Sequence, residues 1–142
     1  MKDTNNKLDY NVWSGTEYNQ GTSGFTIVRC TAESSKNWSS ISESSLKITT
    51  NDSTNWSYID ACRLTGLTGT ITATLDVYAP KGDISIVLYA GVNLVSVVVP
   101  ESNTVQKINL SGTLPSNYNY LAIRMFPRVD NVPYYIDNIS VS

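Results

Sequence analysis

The sequence has 142 residues, a length that suits one domain and leaves no room for a second. Charged residues make up 15% of it and the net charge is −2, without the cluster of Lys or Arg that a nucleic-acid-binding surface needs. No run approaches the ~18 apolar residues of a membrane-spanning helix. Because histidine is absent and only two cysteines are present, the usual zinc sites and any catalytic group that uses histidine are excluded.

The surface is expected to be rich in Ser, Thr and Asn, a composition typical of extracellular or surface-displayed β-proteins. Residues 1–6 lack the apolar stretch of a signal peptide. We therefore expect either that the signal lies outside this sequence or that the protein leaves its cell by another route, such as in a virus particle. The predicted location is extracellular, at a cell surface or in a virion. We expect a single domain over residues 1–142, with residues 1–20 partly irregular.

Alternation of apolar and polar residues predicts strands along most of the chain. Gly, Pro, Asn and Ser turns separate nine or ten such runs, which predicts an all-β fold: a two-sheet antiparallel β-sandwich of jelly-roll type. The strand signal is weakest over residues 34–45, where we allow a short helical turn. The predicted strands cover residues 25–30, 46–49, 58–64, 70–78, 83–89, 94–99, 105–110, 120–126 and 134–141.

The same alternation sorts side chains between core and solvent. With Leu75 and Val77 facing the core, Asp76 and Tyr78 face outward together. In the strand at 58–64, strict alternation places Tyr58 and Asp60 on one face and Arg63 on the other. An outward set of polar and aromatic residues is what a concave binding site needs, and here it comprises Asp76, Tyr78, Tyr89, Tyr120 and Arg124.

A plainer interpretation of that set is an exposed ion pair between Asp76 and Arg124, worth about 0–1 kcal/mol, with tyrosines that cover the sheet.

Aromatic residues favour sugar recognition because sugars stack on rings and hydrogen-bond to polar side chains. The nine Tyr and three Trp outnumber the two Phe, so most rings carry a polar group, which ordinary strand propensity also explains. Trp38 and Trp56 are the loop candidates for ligand contact, together with Trp13. At least one of these three is expected in the core.

The two cysteines, Cys30 and Cys62, each end or lie within a strand-like run. A disulfide between neighbouring strands and two buried free thiols are both compatible with that placement. We favour the free thiols.

Three passages carry a likeness to a known family. They are Ser45 to Ile48 followed by Trp56, the run at 67–78, and the ending at 134–141, which reads aromatic-aromatic-Ile-Asp-Asn-aliphatic. Together they resemble the carbohydrate-binding modules of the galactose-binding-like jelly-roll superfamily, the group that includes families four, nine and twenty-two. The resemblance covers residues 44–142, while the N-terminal part departs from the family pattern.

The resemblance implies a sandwich of two antiparallel sheets, a sugar held by aromatic and polar residues and, often, a structural calcium ion. Asp137 matches the position whose carboxylate commonly helps to bind that ion. The alternative is that Asp137 caps a turn or pairs with a lysine. Calcium takes six to eight oxygen ligands, many of them backbone carbonyls, so the sequence identifies one candidate ligand and not the set.

The acidic residues form no recognisable pair of catalytic carboxylates, so we do not expect an enzyme. We predict a non-catalytic carbohydrate-binding module that recognises a polysaccharide or a cell-surface glycan as part of a larger surface or virion protein. No nucleic acid and no membrane insertion are expected. The alternative is a structural or adhesion domain of a cell-surface adhesin or of a phage tail or receptor-binding protein. An exposed aromatic groove would favour the binding role, and a flat apolar patch would favour assembly.

Overall fold

The computed structural model describes residues 26–40 and 45–142. Ten strands account for most of them, and none of the described residues forms a helix that is long and apolar enough to cross a membrane. In chain order the strands are β1 (Thr26–Val28), β2 (Thr31–Ser35), β3 (Ser45–Thr49), β4 (Tyr58–Leu64), β5 (Thr70–Tyr78), β6 (Ile84–Tyr89), β7 (Asn93–Val99), β8 (Gln106–Thr113), β9 (Leu121–Pro127) and β10 (Tyr134–Val141).

The strands form two five-stranded antiparallel sheets, as the sequence predicts. Sheet I has the order β1-β4-β9-β6-β7, and sheet II has the order β2-β3-β10-β5-β8. The two late strands β9 and β10 are each the middle strand of their sheet, so the C-terminal part of the chain joins segments that are far away in sequence. The fold is therefore a jelly-roll sandwich.

The core lies between the two sheets and is built from alternate residues of each strand. In β5 these are the apolar positions from Ile71 to Val77, which are at most 3% exposed. The largest fully buried side chain is that of Tyr134, whose hydroxyl accepts a hydrogen bond from the backbone N–H of Val129 at 3.0 Å. That bond gives the buried hydroxyl a partner, without which its burial would cost about 1–3 kcal/mol.

One strand escaped sequence prediction. Residues 34 and 35, where a helical turn was allowed, instead end β2, which pairs with β3 in register from Thr31 opposite Thr49 to Ser35 opposite Ser45. β2 is the edge strand of sheet II, and three of its five residues are exposed. A polar edge strand shows no apolar alternation, so its sequence looks like a loop. Residues 36–40 form bends and coil, and the rest of the allowed turn, with Trp13 and residues 1–20, lies outside the described residues.

Cys30 follows β1 and carries a free, half-buried thiol, in agreement with the favoured expectation for this residue. Its Sγ donates to the backbone carbonyl of Tyr58 at 3.3 Å. Burial raises the pKa of the thiol to about 11. At neutral pH Cys30 is therefore protonated and a poor nucleophile.

Candidate functional site

The five outward residues expected to form one site lie on opposite sides of the sandwich. Asp76 and Tyr78 belong to β5 in sheet II, whereas Tyr89, Tyr120 and Arg124 belong to or adjoin β6 and β9 in sheet I. The expectation of a single site is therefore wrong. Alternation tells the inner from the outer face of a strand, but it does not tell which sheet the strand joins, and the chain crosses from one sheet to the other between β5 and β6.

The centre of the outer face of sheet I is an ion pair between Asp60 of β4 and Arg124 of β9. The two residues are directly opposite each other in the strand pairing. Arg124 Nε donates to Asp60 Oδ1 at 2.6 Å and Nη2 donates to Oδ2 at 2.8 Å, which is a bidentate contact. The expected pairing of Asp76 with Arg124 is thus wrong: Asp76 contacts Lys107 at 3.4 Å instead.

Two tyrosines enclose the guanidinium group of Arg124. Its Cζ lies 4.3 Å from the ring centroid of Tyr58 and 3.7 Å from that of Tyr89. The strand order produces this arrangement, because β9 lies between β4, which carries Tyr58, and β6, which carries Tyr89. Each contact is a cation–π interaction worth about 0.5–2 kcal/mol.

Burial sets the electrostatics of the pair. The Asp60 side chain is 2% exposed and that of Arg124 is 11% exposed. The hydrogen bonds to Asp60 raise the pKa of Arg124 above its ordinary value, so its charge is permanent. Burial, followed by the negative charge of Asp60, raises the pKa of Tyr120, whose hydroxyl lies 3.4 Å from Asp60 Oδ2. Tyr120 is therefore a neutral phenol that donates toward the carboxylate.

Arg63 also reaches this outer face, contrary to strict alternation. The pairing of β4 with β9 is regular from Ile59 to Ala61 and then shifts before Leu64, which marks a β-bulge. As a result Leu64 packs against the core, and the guanidinium of Arg63 lies 4.0 Å from the ring centroid of Tyr120. Without the bulge, alternation would aim this charge at the core.

Trp56 stands at the other end of the same face, in the loop that leads into β4. Its side chain is 68% exposed and its backbone has a φ of 59°, an unusual conformation for a bulky residue. The ring meets Phe126 of β9 edge-on, with 5.9 Å between centroids. Strain at an exposed aromatic residue favours a functional role over a packing role.

Buried polar contacts hold the Trp56 loop in place. Thr50 Oγ1 lies 2.9 Å from both the carbonyl oxygen of Arg29 and Ser57 Oγ, and it accepts from the N–H of Asp52 at 3.0 Å. Ser57 Oγ donates to the Asp52 carbonyl at 2.7 Å, and Arg29 Nη1 donates to the Trp56 carbonyl at 3.3 Å. These hydrogen bonds fix the backbone of the loop that carries the tryptophan ring.

A groove of about 760 Å³ lies on the outer face of sheet I, between the Trp56 loop and residues of β6, β7 and β9. Its aromatic walls come from Trp56, Phe126 and Tyr89, and Arg124 forms part of its floor. Val87, Pro127 and Arg128 add to the lining, as do several hydroxyl and amide groups. The hydroxyl and amide groups belong to Ser53, Thr54, Ser85, Asn93 and Ser96. The mixture of rings with a few polar groups is the usual chemistry of a small-molecule or glycan site.

The outer face of sheet II carries a second aromatic group, whose rings contact one another. Trp38, from the segment after β2, stacks on Tyr78 with 5.3 Å between centroids and also meets Tyr135 at 6.3 Å. Tyr78 and Tyr135 stack on each other at 5.8 Å, and Tyr135 is 7% exposed. Trp38 is half-buried and packs over the two tyrosines, so the three rings form one cluster on the outer face of sheet II.

The expected metal ligand Asp137 lies beside this cluster and is fully buried. Its Oδ2 accepts from the N–H of Ser40 at 2.8 Å and its Oδ1 accepts from the N–H of Asn138 at 2.9 Å. Asp76 is opposite it on β5 and accepts from Asn138 Nδ2 at 3.1 Å. Across residues 26–40 and 45–142 no group of three or more acidic, histidine or cysteine side chains is placed to hold a metal ion. The described contacts of Asp137 thus include two backbone N–H donors, and the carboxylate of Asp76 lies opposite it on the neighbouring strand.

Sequence reasoning missed four residues that define the sheet I face. Tyr58 and Asp60 are placed correctly on one face of their strand but are not among the predicted site residues, and Phe126 is not among them either. Arg63 was assigned to the wrong face. The available signal is Asp60 itself, a carboxylate between the core residues Ile59 and Ala61, since a buried charge requires a partner.

Comparison with known proteins finds relatives of the fold among solved structures and none by sequence. No family model matches the sequence, and no curated protein matches it. The structure, however, matches the C-terminal family 22 carbohydrate-binding module of Clostridium thermocellum Xyn10B with a TM-score of 0.70, over 100% of this chain and 96% of that one, at 12% identity. The fold is that of a family 22 carbohydrate-binding module.

Two further solved structures share this jelly roll. A family 61 module solved with β-1,4-galactotriose has a TM-score of 0.69 at 12% identity, over 96% of this chain and 97% of that one. A domain of bacteriophage CBA120 tailspike protein 4 has a TM-score of 0.67 at 11% identity, over 97% of this chain and 21% of the tailspike chain. The same fold therefore occurs as a separate sugar-binding module and as a part of a much larger protein.

The Asp60–Arg124 pair gives a first prediction. Asp60→Asn keeps the shape of the side chain but leaves the charge of Arg124 uncompensated, so we expect the free energy of unfolding to fall by about 3 kcal/mol. The matched control is Asp83→Asn, because the Asp83–Arg128 pair is exposed and contributes at most about 1 kcal/mol. Urea denaturation of both variants measures the two changes. Equal losses would contradict the central position that we assign to Asp60.

Proposed function

We propose that this protein is a non-catalytic carbohydrate-binding module whose ligand lies along the outer face of sheet I. The observation that carries the proposal is the line of aromatic rings on that face, which begins at Trp56 and ends at Tyr120. Phe126 and Tyr120, which mark the β9 part of this line, are six residues apart, or about 20 Å. That length suits a glycan chain of several sugar units and exceeds what a single sugar would need.

The chemistry of the face supports this proposal. Rings with partly exposed faces can stack on the C–H faces of sugars, and the guanidinium of Arg124 has donors beyond the two that Asp60 accepts. Because both tyrosines and the carboxylate fix Arg124, those donors have a set direction and lose little entropy when a ligand binds. The cleft of the Xyn10B family 22 module takes part in ligand binding in that protein, and its fold is the one found here.

A role without catalysis is consistent with the charges on this face. The one carboxylate described among its central residues, Asp60, is committed to Arg124. A glycosidase needs a second carboxylate across the bond that it cleaves. Some structures with this fold are modules of enzymes, such as the family 22 module joined to the catalytic module of Xyn10B. We accordingly propose that this domain serves a larger extracellular, cell-surface or virion protein by bringing it to a glycan.

One observation favours the alternative of a structural or assembly role. β7 is the edge strand of sheet I, and Val92 and Val98, next to and within it, are 57% and 52% exposed. An exposed edge with apolar side chains is a surface on which another strand can pair. This alternative makes no use of the ordered Trp56 loop or of the stacked Arg124, so the glycan-binding role explains more of the structure.

The binding proposal predicts a contrast between two tryptophans. Trp56→Asn removes an exposed ring while Asn tolerates the positive φ, so the fold should be kept and glycan affinity should fall about tenfold or more. The matched control is Trp38→Phe on sheet II, which should leave affinity unchanged. A glycan-array screen followed by calorimetric titration of the best ligand measures both effects.

Two results would contradict the proposal. The first is a loss of affinity in Trp38→Phe with none in Trp56→Asn, which would move the site to sheet II. The second is the absence of binding to every glycan on the array by the natural sequence, which would leave the structural role.

We propose separately that a calcium ion stabilises the region of Asp137, as the family resemblance implies. The described residues supply at most the carboxylates of Asp137 and Asp76, so the remaining oxygens would have to come from backbone carbonyls or from residues outside the described ranges. A bound ion stabilises the folded state by mass action, so a chelator should lower the melting temperature and added calcium should restore it. An unchanged melting temperature in chelator would contradict calcium binding and leave the hydrogen bonds to Asp137 as a sufficient explanation.

A further inference from the structure

We infer that the glycan recognised by this module is acidic, and that Arg63 binds a carboxylate of one of its sugar units at the Tyr120 end of the sheet I face. This inference rests on the proposed function, because it names the chemical class of ligand for the same face. It goes further than that function, because the aromatic groove alone would bind a neutral glycan equally well, whereas Arg63 would favour an acidic one.

The position of Arg63 is the first observation. Its guanidinium Cζ lies 4.0 Å from the ring centroid of Tyr120, and the side chain is exposed. Among the described residues its one hydrogen bond is from Nη1 to Thr26 Oγ1 at 3.3 Å. Within the described ranges it has no carboxylate at ion-pair distance. Contact with the ring restricts the guanidinium, and its other N–H donors have no acceptor among the described residues, which leaves them for a ligand.

The bulge in β4 is the second observation. A strand that continued its alternation would not bring Arg63 beside Tyr120, and the register shift between Ala61 and Leu64 does so. Bulges commonly re-aim a side chain at a binding site. Here the bulge adds a positive charge to a face whose central pair, Asp60 with Arg124, is already neutral.

The distribution of arginine is the third observation. The chain contains four arginines and all lie on or beside the strands of sheet I, although the protein as a whole has a net charge of −2. Arg124 and Arg128 are neutralised by Asp60 and Asp83. Arg29 and Arg63 are left without an acidic partner among the residues that the structure describes. Arg63 is therefore a positive charge on this face that no described carboxylate neutralises, on a protein whose net charge is negative.

An acidic sugar fits this arrangement. A carboxylate accepts two parallel hydrogen bonds from the edge of a guanidinium, which is the geometry that a stacked arginine offers. Arg63 covers part of Tyr120 and Arg124 covers part of Tyr89, so a sugar ring next to that carboxylate would meet the exposed remainder of these half-buried rings, whose centroids are 6.1 Å apart. Uronic-acid and sulfated glycans both carry an anionic group. We assign the carboxylate of a uronic acid, because its two oxygens match the two parallel N–H donors of the guanidinium.

The test compares acidic glycans with the same glycans after their charge is removed. The protein is titrated with oligosaccharides of several uronic acids, each also prepared as its neutral methyl ester, and with a sulfated glycan. We expect at least one uronic-acid oligosaccharide to bind about tenfold more tightly than its methyl ester, with a preference that declines at high salt. Arg63→Gln should remove this preference. Lys36→Gln, which removes the same charge from an exposed position after β2, should preserve it.

The outcomes separate the inference from the proposed function. Equal binding of acid and ester, or binding only to neutral glycans, overturns the inference and keeps the sugar-binding role. Equal weakening by Arg63→Gln and Lys36→Gln shows a general charge effect and overturns the assignment of Arg63. Binding confined to the sulfated glycan overturns the assignment of a carboxylate. The absence of binding to every glycan, acidic or neutral, overturns the proposed function and the inference together.

Discussion

The buried pair of Asp60 and Arg124 is the constraint on which the rest of the sheet I face depends. Asp60 on β4 and Arg124 on the middle strand β9 are both removed from water. The free energy of this desolvation is not offset by the attraction between the two charges alone. Tyr58 and Tyr89 enclose the guanidinium, so the pair is fixed in orientation as well as in charge. A well-packed apolar pair would hold the same strands together at lower cost. The arrangement is therefore better explained by a requirement for oriented donors than by stability.

The two outer faces of the sandwich differ in a way that follows from their aromatic residues. On sheet II the rings of Trp38, Tyr78 and Tyr135 lie against one another and seal the sheet. On sheet I the rings lie in a line, and Trp56 stands clear of the surface on a loop held by hydrogen bonds. Most of the rings on both faces are half-buried, and Trp56 is the one mostly exposed ring among the described residues. The two faces therefore differ in this exposed ring and in the guanidinium groups that stack on the tyrosines of sheet I.

The sequence predicts the fold well because most strands alternate strongly. β4, β5 and β10 begin and end as predicted, and their apolar positions form the core. β2 is missed since an exposed edge strand has no apolar face to reveal it. The site is predicted only in part. Tyr89, Tyr120 and Arg124 do meet, but Asp76 and Tyr78 join the other sheet, because pairing between distant strands is not encoded in local alternation. The bulge that moves Arg63 is equally invisible in a single sequence.

The central claim is that the Asp60–Arg124 pair is present for recognition and not for stability. The most direct measurement replaces both residues by apolar ones, as Asp60→Leu with Arg124→Met, and determines the free energy of unfolding and the glycan affinity of the same sample. We expect the double variant to be as stable as the natural sequence or more so, because no unpaired charge is left, and to lose glycan binding. Retained binding, or a loss of the fold, would contradict the claim.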